Sequence, residues 1–282
     1  MKEKERYPVE IKAYPYLQDH YFEGQAILPA VEALIILAEV AAVNFPQINV
    51  CLQKRARFPR FLSIDPQEQI KKVFADIGEA ADSSLSVTIS TMAKAKTGII
   101  SRPLEHAYVE FAAAPGQDYP VPPLPDFQHL GGKRINVPAA AIYRELVPFG
   151  KAYQNIVGEL SLSPEGAIAH LYGGEGEVNA DLIGSPFPLD AALHAACSWG
   201  QRYTGIVAFP VGFEKRIIYR KTKKERKYIG RIIPVDVSGE PLIFDALIYD
   251  SDGMIYESVS GIQMRDVTQG RLRPPDWIKD DL

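Results

Sequence analysis

One stretch limits this chain more than any other. Between His20 and Pro29 the spacing is H-x-x-x-G-x-x-x-x-P, with Gly24 in the middle, and an apolar run to Val43 follows. Proline is tolerated in the first turn of a helix, where its missing N–H would be unpaired anyway, so the spacing predicts a helix over 29–43. Val31, Leu34, Ile35, Leu37, Ala38, Val40, Ala41 and Val43 spread over most of its circumference, leaving Glu32 and Glu39 as one narrow polar stripe. A helix this apolar has to be wrapped by other structure. Its two glutamates, and a length below the roughly 20 residues of a membrane span, argue against a transmembrane role. Gly24 allows a close approach by a ligand, and the free N–H groups at a helix start favour an oxygen gaining negative charge. His20 brings a side chain able to move a proton near neutral pH. A single histidine before a buried helix is more often structural, so this stretch needs a partner.

The partner lies between Gly184 and Tyr203. Pro188 and Asp190 open a second apolar helix, predicted over 189–203, and Asp190 and His194 share one face of it at i, i+4. The chain thus offers two buried helices, each opening on a proline and each with a proton-transfer residue at its mouth. Taken alone, Asp190 reads as a helix cap and His194 as a satisfied core histidine; it is the pairing of the two stretches that favours chemistry.

Around these helices the same order of elements occurs twice. A strand is predicted over 7–13, then the first helix, then strands near 49–62, 68–77, 84–95 and 105–113. The run Leu85-Ser86-Val87-Thr88-Ile89-Ser90 alternates as a half-buried strand should. Five prolines at 115, 120, 122, 123 and 125 cannot pair in a sheet and mark an extended linker. A short helix over 138–147 and strands near 152–162 and 167–173 precede the second helix. Strands near 209–221, 225–236, 242–250 and 254–265 follow it, with Asp252-Gly253 as a hairpin turn. The fold class is α+β, divided into 1–113, a linker 114–132, and 133–282.

Composition sets outer bounds. With 282 residues, 46% apolar and 23% charged, the chain has the makings of an ordinary soluble globular protein with a sizeable core. A net charge of −4 gives no support to nucleic-acid binding. Cys51 and Cys197 have apolar neighbours and no metal-ligand spacing, and read as reduced thiols. Met1 leads into a charged run with no apolar region behind it, so no signal peptide or membrane attachment is expected, and the location is read as cytoplasmic. Gly173-Gly174-Glu175-Gly176 is not followed by a phosphate-loop helix, and no G-x-S-x-G elbow occurs. No metal or cofactor is expected. His106, His129 and His170 read as surface residues.

The residues together resemble the dehydratase domain of polyketide synthases. His20-x-x-x-Gly24-x-x-x-x-Pro29 is similar to that family's catalytic-histidine motif. Leu189-Asp190-Ala191-Ala192-Leu193-His194 is similar to its D-x-x-x-Q/H motif. Phe149-Gly150-Lys151-Ala152-Tyr153-Gln154 is similar to its Y-G-P-x-F-Q segment, Phe209-Pro210-Val211 to its L-P-V strand start, and the residues from Asp252 to Ile262 to its closing hairpin. The resemblance implies a double hot-dog: two antiparallel sheets, each wrapping a central apolar helix, the first carrying the histidine and the second the aspartate. It implies His20, Asp190 and His194 as catalytic residues, and Gly24, Pro29, Phe149, Gly150 and Tyr153 as substrate-binding ones. It further implies an acyl thioester substrate, carried by phosphopantetheine on an acyl carrier protein, with a homodimer left open. The chain lacks a synthase's other modules, which reads as a standalone protein. It departs from the family in Ala30 for glycine, in Ser185-Pro186 for His-Pro, and in Phe149, Lys151 and Tyr153 of the third motif.

The chemistry fits a dehydration. Removing water from a 3-hydroxyacyl thioester needs a base at the α-carbon, donors for the enolate-like oxygen, and an acid for the leaving hydroxyl. His20, the Gly24-to-helix backbone and Asp190 supply these, with Asp190 in the apolar surroundings a carboxyl acid needs and His194 orienting it. A double-bond shift or an aromatic cyclisation of the product-template kind uses the same groups, and a silent hot-dog binding protein is the third reading. The basic run from Lys215-Arg216 to Arg231, with Lys221, Lys223, Lys224 and Lys227, reads first as a solvated hairpin. Its sharper reading is a dock for an acidic carrier protein.

Overall fold

The fold is described from a computed structural model, for residues 4–80, 84–94, 101–113, 119–123 and 129–279. Fourteen strands and two long helices carry it. The first half contains β1 (Glu5–Lys12), a short hairpin of β2 (Tyr21–Phe22) and β3 (Gln25–Ala26), and α1 (Ala30–Asn44). It continues through β4 (Asn49–Arg57), β5 (Ile70–Glu79), β6 (Leu85–Lys94) and β7 (Ser101–Ala112). The second half runs β8 (Ile135–Pro138), β9 (Ile156–Ser163), β10 (Gly166–Tyr172), α2 (Phe187–Tyr203), β11 (Phe209–Ile218), β12 (Lys227–Asp236), β13 (Leu242–Tyr249) and β14 (Ile255–Arg265). Each long helix is followed by four strands, as the repeated order predicts. Ten of the linker's residues, 114–118 and 124–128, lie outside the described residues.

Strand order gives the symmetry. The large sheet runs β1-β5-β6-β7-β4-β11-β14-β13-β12-β10-β9-β8, all antiparallel. Reading outward from the β4·β11 pair, the first half gives 4, 7, 6, 5, 1 and the second gives 11, 14, 13, 12, 10, the same order of elements. The two sheets expected from the sequence are therefore joined edge to edge by a ladder that includes Leu52↔Ile217 and Gln53↔Arg216. β8 and β9 extend only the second half.

Each half-sheet closes on its helix. α1 is apolar on nearly every side and buries Val31, Leu34, Ile35, Leu37, Ala38 and Ala41. Facing it are Val73, Ala75, Ile77, Val87, Ile89, Ala107 and Val109, alternate residues of β5, β6 and β7, all inside the main core. α2 buries 14 residues, including Trp199, whose indole N–H donates to the Ser163 carbonyl at 2.8 Å. Truncating a central residue such as Leu37, fully buried in α1, to alanine costs about 2–5 kcal/mol in a core of this kind.

Two readings of α1 and β11 need correction. Glu32 is not on a solvent-facing stripe; it is 5% exposed. Glu39 alone reaches the surface, where Asn179 Nδ2 donates to it at 2.8 Å. Arg216 is not part of a basic surface. It is 1% exposed and paired with Glu257, Nε to Oε2 at 2.9 Å, with Gln53 at 3.3 Å. At the seam of the two half-sheets, a cation needs that partner to stay buried.

Candidate active site

The sequence from Tyr14 to Pro29 is a scaffold for one imidazole. A 3-10 turn, Pro15–Asp19, ends as the His20 N–H bonds the Leu17 carbonyl. The chain reverses at Glu23 (φ 49°) and Gly24 (φ 78°), where glycine's freedom suits the turn between β2 and β3. Ile27 then returns beside His20. Its N–H donates to the His20 carbonyl at 2.9 Å, and its carbonyl lies 3.0 Å from His20 Nδ1. A carbonyl only accepts, so Nδ1 carries the proton and Nε2 keeps its lone pair. Burial pushes the His20 pKa down to about 4, with the Asp190 charge partly offsetting it. The ring is therefore a neutral base at neutral pH.

The segment after Leu146 clamps that ring. Phe149 stacks on His20 at 4.2 Å between centroids, and Tyr153 meets it edge-on at 5.1 Å. Asp19 fixes this turn: its carbonyl accepts the Gly150 N–H at 2.7 Å, and its carboxylate accepts the Ala152 N–H at 2.9 Å. A Cβ on Gly150 would lie 2.4 Å from the Asp19 side chain, which is why glycine stands there.

α2 supplies the opposing groups. Pro188 sits in its first turn with Asp190, whose Oδ2 lies 3.1 Å from His194 Nε2. The geometry is poor for a hydrogen bond, and both atoms are buried without a partner. On the other side of the His194 ring, Nδ1 faces the Tyr143 hydroxyl at 3.4 Å. That hydroxyl accepts the Ile156 N–H at 2.8 Å, so its own proton is available to Nδ1. The arrangement favours the His194 tautomer with its proton on Nε2, turned toward Asp190.

His20, Asp190 and His194 line one cavity of about 380 Å³. Most of its wall is apolar, including Leu28, Leu62, Ile89, Ala107, Val207 and Met264. Gly24 and Phe149 are on this wall too. Pro29, Gly150 and Tyr153 are not: Pro29 caps α1, Gly150 makes room for Asp19, and Tyr153 is fully buried with its hydroxyl on Glu32. These three support the wall rather than touch its contents. His106, read as a surface residue, is half-buried in the wall, its ring nitrogens engaged by Thr91 Oγ1 and the Phe61 carbonyl. His129 and His170 are exposed. At the mouth, Phe22, Phe61 and Phe209 pack on one another with centroids 5.0–6.2 Å apart. Among the described residues no cluster of His, Cys, Asp and Glu is built to hold a metal ion, and no helix is long and apolar enough to cross a membrane.

Comparison with known proteins agrees with this geometry. The family model of the polyketide synthase dehydratase N-terminal domain matches residues 134–274, half of the chain. The chain belongs to the polyketide synthase dehydratase family. It is a hydro-lyase of the 3-hydroxyacyl-thioester class, with that family's double hot-dog fold. The dehydratase domain from the CurF module of curacin polyketide synthase is similar at 20% identity and a TM-score of 0.73, covering 94% of each chain. The corresponding CurJ domain has 18% identity and a TM-score of 0.73, covering 94% of this chain and 92% of its own. A trans-AT dehydratase domain from Brevibacillus brevis has 18% identity and a TM-score of 0.72, covering 94% of each. No curated protein sequence matches.

The sequence reading missed Asp19, Glu32, Tyr16 and Tyr143. The departure at Tyr153 was a signal for Glu32 alone, since a hydroxyl added at a buried position requires a partner.

Proposed function

We propose that His20 and Asp190 carry out the dehydration from opposite halves of the chain, and that 1–113 and 133–282 are the two hot-dog units joined by 114–132. The observation that carries the proposal is the buried, unpartnered Asp190 Oδ2 in the same cavity as a neutral His20. An unsatisfied buried polar group costs about 1–3 kcal/mol, and a substrate hydroxyl, whose oxygen accepts from a carboxyl O–H, is the group that relieves it. His20 Nε2 takes the proton α to the thioester carbonyl. The electrons move onto the carbonyl oxygen, beside the N-terminus of α1, where Ala30 lines the cavity and the first N–H groups have no intrahelical partner. The enolate re-forms the carbonyl, the C3–O bond breaks, and Asp190 gives its proton so that water leaves. His194 Nε2, 3.1 Å from Asp190 Oδ2, is near enough to orient that carboxyl by a small turn of either side chain.

Variants of two similar dehydratases support the roles. A histidine-to-phenylalanine change is named as inactivating the CurJ and CurK dehydratases, and an aspartate-to-asparagine change as inactivating CurK. The substrate is an acyl thioester, delivered by an acidic carrier protein through a phosphopantetheine arm. The lysine hairpin is poorly placed to receive it: Lys221, Lys223 and Lys224 line a separate depression with residues 178–181. Arg60 is on the cavity rim, and Arg265 pairs with the rim residue Phe209 across the β11–β14 ladder. Both are exposed, and neither forms an ion pair among the described residues. These two arginines suit the arm's phosphate better. Incubating the protein with a 3-hydroxyacyl thioester and following loss of one water by mass tests the proposal; a persistent hydroxyacyl species would sink it.

A further inference from the structure

Glu32 is a buried carboxyl for which the dehydration has no use. It is the third residue of α1 and is 5% exposed. Tyr16 donates to its Oε2 at 2.9 Å, and Tyr153 donates to its Oε1. Among the described residues it has no ion-pair partner. The groups that face it are Tyr16 from the turn before His20, Tyr153 from the turn after Phe149, and Asp190 from α2, which has the same sign of charge. Glu177 adds a further negative charge that acts on Tyr16. An uncompensated carboxyl in a core is expensive, and an apolar residue of its size would pack more cheaply. Stability does not account for it.

Its neighbours supply a reason. Tyr153 is the residue whose edge lies against the His20 ring, with Phe149 on that ring's face. The Tyr153 ring also packs on Tyr16 at 6.2 Å and on Phe187, the first residue of α2, at 5.6 Å. Phe187 lies three residues before Asp190 and touches Tyr16 as well, at 6.2 Å. The Glu32 carboxylate thus ties together the turn that carries His20, the turn that clamps it, and the start of the helix that carries Asp190. Two hydroxyl donors can both be satisfied only while the carboxylate is ionised. Burial opposes that charge and the two tyrosines favour it, leaving Glu32 at about 7, with Asp190 adding to the upward push.

We infer that Glu32 is a positioning residue for the dehydration, holding His20 through Tyr153 for as long as its own carboxyl is ionised. The inference rests on the roles proposed above for His20 and Asp190. It also accounts for tyrosine at position 153, since only a hydroxyl there can reach Glu32.

Two variants separate the tether from the charge. Tyr153→Phe keeps the ring and removes the tether. Glu32→Gln keeps the shape and removes the charge. Misplacement of a reacting group costs on the order of 10²-fold at the extreme, so Tyr153→Phe is expected to lower kcat about 10-fold with KM nearly unchanged. In Glu32→Gln the carboxyl that takes up its proton near 7 is gone, so the fall in kcat that its protonation causes below about pH 7 in the wild type is absent. The double variant should lose less than the product of the single losses, because both act through one contact. Thermal melting of each variant identifies any that misfolds; Tyr153→Phe carries the test alone if Glu32→Gln does. Wild-type kcat in Tyr153→Phe, together with a wild-type pH profile in Glu32→Gln, overturns the inference. If His20→Ala and Asp190→Asn also stay active, the dyad itself is wrong; if they are dead, only the role of Glu32 fails.

Discussion

The two central helices begin alike and treat their carboxyls differently. α1 and α2 each start beside a proline, and each buries an acidic residue in its first turn, Glu32 at 5% and Asp190 at 4% exposure. Glu32 has both oxygens taken by tyrosine hydroxyls and lies behind the cavity wall. Asp190 has an oxygen without a partner and lies on the wall. Composition and position along the helix are nearly the same, so what separates a support from a reactant is whether the protein has already spent the group's hydrogen-bonding capacity. Glu257 is a third case, a buried carboxylate neutralised by Arg216 at 2.7 Å.

That comparison breaks first at Asp190. Asp190→Asn and, on the other half, His20→Ala should each lower turnover by about 10²–10⁴-fold while melting close to wild type; near-normal turnover in either would place it with the supports. Glu257→Ala should do the opposite. Leaving Arg216 buried and unpaired costs about 3–5 kcal/mol, seen as a fall in the denaturant midpoint, with little change in the specific activity of the protein that stays folded.

The pH dependence sharpens the assignment of the base. Burial lowers the His20 pKa to about 4 from 6.5, so in Tyr153→Phe, where the tether to Glu32 is already cut, kcat/KM should hold at pH values where an ordinary histidine is already protonated, and fall as the pH approaches about 4. The same shift affects stability. In the unfolded chain this histidine takes up its proton near 6.5, so its contribution becomes unfavourable as the pH falls from about 6.5 to about 4 and changes no further below that. An acid limb near 6.5 in that variant, measured on a soluble thioester, would show that the imidazole is solvated or that another group is the base.

Smaller effects test the surroundings. His194→Gln keeps a donor toward Asp190 and should retain turnover within about tenfold, and complete loss would make His194 a reactant. Smallest is the partner effect. Reversing charge at Arg60 and Arg265 should raise KM for a carrier-bound substrate and spare a short free thioester, whereas reversal at Lys223 and Lys224 should change neither. Electrostatic complementarity acts mainly on association, so the arginine effect should fade with added salt.

Much of this was legible in the sequence because it is local. Proline placement and apolar runs marked both long helices to within two residues at each end, and period-two alternation marked Leu85 to Ser90 of β6. Asp190 and His194 share a face because helical geometry puts i and i+4 together. What stayed hidden depends on contacts far apart in the chain. Tyr153 reaches Glu32 across 121 residues and Tyr143 reaches His194 across 51. No periodicity reports either, so Glu32 read as the edge of a polar stripe. Charge density along the chain pointed to the lysine hairpin through Lys221, Lys223, Lys224 and Lys227, and says nothing of where they stand: three of them line a depression apart from the cavity, and Arg216, at the start of the same run, is turned inward against Glu257. The short strands β2, β3 and β8 carry too few residues to show alternation.

The ladder between β4 and β11 makes the two halves cohesive ends of one object. A chain severed between them would yield two fragments, each baring an unpaired strand lined with backbone donors and acceptors that fit the other. Such fragments, mixed at equal amounts, should find each other without a covalent tie and rebuild a working cavity, since His20 is contributed by one and Asp190 by the other. Kept apart, each would offer its bare edge to its own copies. Fragment complementation, with catalysis as the signal, is thus a property written into the seam.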